Sequence, residues 1–210
     1  MGFKPADIRL ERGKVRSLSS PEEYLRSNIR WRDLESVIDV GTGHSGVFDY
    51  GRFQELELSY KACLDVYYIR PDIDKSWQRI LASATHLPLR KGCFDHVQST
   101  EMIEHIIPAH HRLVLKELKR IASKCVFLTA TGLSQHLGPE QIRCEGENPH
   151  QKFKEMVSKE ILEDEGFEIL FYEKVEVTNE RKLREFEKYG NGAKPIREHV
   201  KAFYDNEEDQ

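Results

Sequence analysis

Short apolar runs alternate along this chain with stretches whose apolar residues recur every three or four positions. The runs "SVIDV" (36–40), "KACLDV" (61–66), "HVQST" (96–100) and "KCVFLTA" (124–130) have the length and β-branched content of buried strands. "PEEYLRSNIRWRDL" (21–34) follows Ser20, an N-cap residue type, and places Pro21 at the first helical position, so it predicts a leading helix. "PAHHRLVLKELKRIAS" (108–123) predicts a helix whose inner stripe is Leu113, Leu115, Leu118 and Ile121, widened by Val114. "MVSKEILEDEGFEILFYEKV" (156–175) predicts a helix stopped at Gly166, then a strand. The remainder, 178–204, is rich in charge and reads as mainly helical, with "HVKAFY" (199–204) open to either strand or helix.

Strands that alternate with helices predict an α/β domain with a mostly parallel central sheet and helices on both faces, a three-layer α/β/α arrangement. Right-handed crossovers put the strand-to-helix loops on the carboxyl edge of such a sheet, where ligands bind. The chain divides into an N-terminal helical segment (1–35), the α/β domain (36–177) and a charged C-terminal segment (178–210). Between 131 and 153 lies a long irregular stretch with Gly132, Gly138, Pro139, Gly146, Asn148 and Pro149. A loop of that length in a compact domain is usually functional, and it is the expected substrate loop.

Charge and cysteines narrow the class. With 32 basic and 36 acidic residues the formal net charge is −4, and no basic stripe with interleaved aromatics advertises nucleic acid. Cys63, Cys93, Cys125 and Cys144 show no Cys-x-x-Cys spacing, which predicts reduced thiols in place of a disulfide frame or zinc site. No run has signal-peptide or membrane-span character, so the expectation is a soluble cytoplasmic protein with a small-molecule substrate, no resident metal and an open oligomeric state.

The candidate chemistry starts at "DVGTGHSG" (39–46), where a buried strand meets a glycine-rich turn. Gly41 and Gly43 permit a tight turn and close approach of a ligand to the backbone. The next strand ends in Asp65, 26 residues after Asp39 (65 − 39), where a carboxylate can accept both hydrogen bonds of a ribose diol. Either feature alone is weak, since glycine turns and strand-end Asp residues are commonly structural.

The stretch "LASATHLPLRKGCFDHVQSTEMIEHI" (81–106) supplies the third piece: Ala84, Leu87-Pro88, Phe94-Asp95, Val97 and Glu104-His105-Ile106. In this order, after Asp39-x-Gly41-x-Gly43 and Asp65, these residues resemble the class I S-adenosylmethionine-dependent methyltransferases over roughly 36–130. The resemblance implies a Rossmann-like sheet that carries S-adenosylmethionine across its carboxyl edge. It further implies that Gly41, Thr42 and Gly43 face the methionine part, oriented by Asp39. Asp65, followed by Val66, would hold the ribose; Ser83 and Ala84 would edge the adenine; Ser99 and Thr100 would border the methionine end. Two positions depart from the family pattern. Ser45 stands where the third glycine usually falls, and Ser83 replaces an adenine-binding Asp. A neutral hydroxyl makes the weaker hydrogen bond, so reduced cofactor affinity is expected.

Glu101, His136 and His150 are the candidate bases, wanted only where the methyl acceptor must lose a proton. Glu104-His105 is expected to start a helix beside the cofactor, Phe94-Asp95 to serve as core anchor and turn cap, and His110-His111 to face solvent. Two other readings compete with a methyltransferase. Gly41-x-Gly43-x-x-Gly46 with Asp65 also fits a nicotinamide-dependent oxidoreductase, and Ser83 with the shifted glycine fits a non-catalytic scaffold that keeps the fold.

Overall fold

The computed structural model describes residues 34–43, 58–67, 75–133, 157–176 and 196–206. The expected N-terminal helix at 21–34 and most of the 131–153 loop lie outside them.

Seven strands form one sheet in the order β3-β2-β1-β4-β5-β7-β6. They are β1 (Ser36–Val40), β2 (Tyr60–Asp65), β3 (Gln78–Leu81), β4 (Phe94–Thr100), β5 (Ala122–Leu133), β6 (Glu168–Glu176) and β7 (Ile196–Asp205). β1 pairs in parallel with β2 and β4, as do β2 with β3 and β4 with β5. β7 runs antiparallel between β5 and β6. The expected mostly parallel α/β sheet is therefore present. β3 was not foreseen: four mostly exposed residues on a sheet edge give no apolar run to detect. The open stretch 199–204 is strand, and the strand starts earlier, at Ile196, so 196–198 are not the expected helix; 178–195 lie outside the described residues.

Residues paired in register project to the same face of a sheet. One face carries Ile38, Val40, Ala62, Leu64, Val97, Val126, Leu128 and Ala202, and it is the main core. Against it packs α1 (His111–Ile121), through Val114, Leu115, Leu118 and Ile121. Leu115, Leu118 and Ile121 face inward as expected and Val114 is fully buried with them, whereas Leu113 is exposed. His111, expected in solvent, is buried too, with Nε2 3.0 Å from the Ile106 carbonyl oxygen. α2 (Lys159–Asp164) adds Leu162 to the same core. It starts at Ser158, whose hydroxyl accepts from Ile161 N–H, and ends at Gly166, where φ is +82°.

Polar clamps fix the loops between these elements. Asp95 accepts from Glu35 N–H at 2.7 Å, Ser36 N–H at 3.3 Å and the Ser123 hydroxyl at 2.9 Å, joining the starts of β1, β4 and β5. Burial alone would raise the Asp95 carboxyl, but these donors and Lys124 hold it below its usual range. On α1, Glu117 accepts from Leu87 N–H at 2.7 Å. Arg120 donates to Glu117 and to the Leu89 and Leu87 carbonyls, at 2.7 and 2.9 Å. This pair holds the Leu87-Pro88-Leu89 turn, whose N-terminal end leads back to Ser83 and β3. α1 is joined to the end of α2 by Arg112 to Asp164 and by Lys119 to Glu165.

Arg120→Ala removes a charged donor from two carbonyls and strips Glu117 of its partner. Since Arg120 is one-third exposed, the expected loss is about 2 kcal/mol of unfolding free energy, seen as a lower urea midpoint at unchanged slope. An unchanged midpoint would show that the turn stands without the clamp.

Candidate functional site

The carboxyl ends of β1, β2 and β4 meet at one edge, and Asp39 lies at its centre. β1 pairs with β2 on one side and β4 on the other, and Asp39, near its end, is 1% exposed. Neither of its carboxyl oxygens has a hydrogen-bond partner. The Thr42 hydroxyl points instead at the Asp39 carbonyl oxygen, at 3.2 Å. Burial pushes the Asp39 carboxyl up to about 7; the neighbouring Thr42 hydroxyl pulls it down, and Asp65, to a lesser extent, raises it by like-charge repulsion. A buried carboxyl with two idle oxygens is costly, and it fits a site that receives a cation.

The turn after β1 is shaped by its neighbours. Gly41 N–H and Thr42 N–H both donate to the Leu64 carbonyl, at 2.7 and 3.2 Å, binding the turn to the end of β2. Gly41 has φ +87°, and a Cβ there would overlap the Met102 side chain. Gly43 has φ +58° and donates its N–H to Asp65 Oδ2 at 2.8 Å, while Tyr67 N–H donates to Asp65 Oδ1 at 3.0 Å. Each Asp65 oxygen is thus held by one backbone donor and keeps a second lone pair, as a vicinal diol requires. Val66 and Leu81, beside Asp65 at the ends of β2 and β3, are exposed and apolar.

The remaining predicted residues divide. Ser83 Oγ lies 2.8 Å from Thr85 Oγ1 and accepts from Thr85 N–H, so its hydroxyl is spent partly on its own turn. The Ala84 methyl is part of the main core. Thr100 lies on the sheet face of Asp39, whereas Ser99 faces the main core, fully buried with no partner for its hydroxyl. Glu101 follows β4 with φ +53°, the one positive φ at a non-glycine residue among the described ones. It is held there by its N–H to the Thr129 carbonyl at 2.9 Å and by the Thr129 hydroxyl, which donates to Oε1 at 3.1 Å. A left-handed residue of this kind costs about 1–3 kcal/mol, offset only where such contacts enforce it. His136 and His150 lie outside the described residues.

Sequence reasoning missed two features. Met102, packed on Gly41, is what makes a glycine necessary there. His199, on β7, puts Nε2 3.9 Å from Glu101 Oε1, with the Phe171 ring edge-on to the imidazole. The alternation His199, Lys201, Phe203 against Val200, Ala202, Tyr204 is a strand signal that places His199 on the same face as Thr129 and Thr131.

Comparison with known proteins agrees with this geometry. Residues 38–127 match a family described as a methyltransferase domain. No curated protein matches the sequence. Among solved structures, the YcgJ protein of Bacillus subtilis is 11% identical, with a TM-score of 0.59 over 86% of this chain and 95% of that one. An S-adenosylmethionine-dependent methyltransferase of Methanosarcina mazei is 15% identical, with a TM-score of 0.53 over 88% and 97%. The cyclase SpnF is 14% identical, with a TM-score of 0.51 over 80% and 74%. At these identities the structures show a shared fold, and the presence of a cyclase among them shows that the fold alone does not dictate the reaction.

The raised Asp39 carboxyl has a consequence for ligand-free stability. Its folded pKa of about 7 lies above the unfolded value, so the folded state holds the extra proton between about pH 4 and pH 7. The stability this group contributes is complete below pH 4 and is lost as pH rises through 7. Asp39→Asn is therefore expected to raise unfolding free energy at pH 8 by roughly 2–4 kcal/mol relative to its effect at pH 4. Urea unfolding at both pH values checks this; an equal effect at both would show that Asp39 is already compensated.

Proposed function

We propose, from the match of residues 38–127 to a methyltransferase-domain family, that the chain binds S-adenosylmethionine and transfers its methyl group to a small-molecule acceptor. One observation carries the reading: a buried, unpartnered Asp39 carboxyl beside a glycine turn that is tied to a ribose-ready Asp65. The nicotinamide alternative does not require an acid buried at the position of Asp39.

S-adenosylmethionine supplies an electrophilic methyl carbon on a cationic sulfur. Asp39 would meet the positive charge of the methionine end, which relieves the cost of its own burial. Gly41 and Gly43 leave room for the backbone to line that end, and Asp65 would accept from the ribose hydroxyls. Val66 and Leu81 offer apolar surface to the adenine, and Ser83 would accept from its amino group with the lone pair that Thr85 leaves. Thr100 borders the methionine end from Asp39's face of the sheet. With the donor so placed, the protein's contribution to an in-line displacement is alignment of the acceptor and exclusion of water. The formal charge of −4, without a basic stripe, supports a small acceptor over nucleic acid. Cys63 and Cys93 are thiols outside any disulfide, which supports a reducing, cytoplasmic setting. No helix among the described residues is long and apolar enough to cross a membrane.

Asp65→Ala is expected to weaken S-adenosylmethionine binding at least tenfold, about 1.4 kcal/mol, when measured by calorimetric titration. An unchanged dissociation constant would reduce Asp65 to a turn residue and remove the ribose assignment.

A further inference from the structure

Beyond the carboxyl end of β4, four side chains gather that the methyl donor does not use. Glu101 comes from the end of the strand, Glu104 from the 3-10 turn at Ile103–His105, Thr129 from β5 and His199 from β7. Glu104 is 2% exposed; its Oε1 accepts from Thr131 N–H at 3.3 Å, and its Oε2 is buried with no partner. Glu101 differs in being reachable, since 31% of its side chain is exposed. Thr129 and His199 both address its Oε1, which leaves Oε2 uncommitted to either. The left-handed backbone at Glu101 turns the side chain across β5 toward β7, away from the sheet's own axis.

Resting on the methyl-donor reading above, we propose that Glu101 is the base that takes the acceptor's proton, and hence that the acceptor is a nucleophile bearing an N–H or O–H. As the acceptor's lone pair closes on the methyl carbon, the carbon–sulfur electron pair returns to sulfur and leaves a neutral thioether. The acceptor's proton passes to Glu101 Oε2 and from there to solvent on the exposed side of the carboxylate. Thr129 positions the carboxylate by donating to Oε1, and His199 Nε2 lies 3.9 Å from the same oxygen. Titratable groups on this side of Glu101 include Glu104, His199 and Lys201, which pairs opposite Thr129 on β7 and lies over the Phe171 ring. Burial, and then the Glu101 carboxylate, push Glu104 up to about 8, so at neutral pH Glu104 keeps its proton. Glu104 is therefore a positioning residue for the charge state of Glu101, not a competitor for the acceptor's proton.

Two measurements on the full chain test this. In the complex with S-adenosylhomocysteine, carbon-13 NMR of labelled glutamate follows Glu104, and Glu101→Gln is expected to lower its titration midpoint, because the neighbouring charge is gone. Methyl transfer from labelled S-adenosylmethionine is then followed with a catechol, a primary amine and a dialkyl sulfide as probes. Labelled product is expected from the catechol or the amine, and Glu101→Gln is expected to slow it about 100-fold without changing the donor's dissociation constant. Transfer confined to the sulfide, a variant within threefold of the parent rate, or an unmoved Glu104 titration would each overturn the proposal. Where none of the three probes is methylated, the Glu104 titration decides alone. A chain that binds neither the donor nor its demethylated product would overturn the donor reading instead.

Discussion

A buried carboxyl group, with no partner for either oxygen, is the constraint around which this edge of the sheet is arranged. Asp39 lies near the end of an interior strand, between β2 and β4, and is 1% exposed. A charge so placed must be neutralised by a proton or matched by a cation. Burial, which pushes this carboxyl up to about 7, favours the first solution below that pH. The second is the function proposed for it. Asp65, one strand over, adds a second negative group that raises the need for positive charge further. The thiol of Cys63, beside Asp39 in register, is pushed up to about 11 by burial first and then by Asp39, which leaves it a poor nucleophile.

The surrounding structure keeps that edge in place. Asp95 ties the opposite ends of β1, β4 and β5 together, so the strands arrive at the edge in fixed register. Glu117 and Arg120 pin the Leu87–Leu89 turn, and Met102 closes over the space a Cβ would take at Gly41. The strained backbone at Glu101 sits in the same short stretch as Met102. One reversal of the chain thereby serves both the glycine turn and the acid pair. Anchoring comes from the main core and α1, while the polar groups project from strand ends on the opposite face.

Much of this was legible in the sequence because the responsible interactions are local. β1, β2, β4 and β5 are compact apolar runs, and Asp39, Gly41, Gly43 and Asp65 stand where strands meet turns. What was misread depends on distant partners. β3 is a short exposed edge strand without an apolar run, and β7 hides its alternation among charged residues. Leu113 was misplaced on α1 because Leu113-Val114-Leu115 offers three consecutive apolar residues and only packing decides which face inward. His111 is buried for the same reason. His199 meets Glu101 through the β5–β7 pairing, a contact across nearly a hundred residues that no local pattern encodes.

Proton exchange on donor binding tests the central claim most directly. Calorimetric titration of S-adenosylmethionine at pH 6.5, repeated in buffers of different ionisation enthalpy, gives the number of protons released. If the buried Asp39 carboxyl is held for a cation, binding ionises it and the wild-type chain releases a large fraction of a proton, whereas Asp39→Asn releases none. Binding by the wild type without proton release, or no binding at all, would contradict the account.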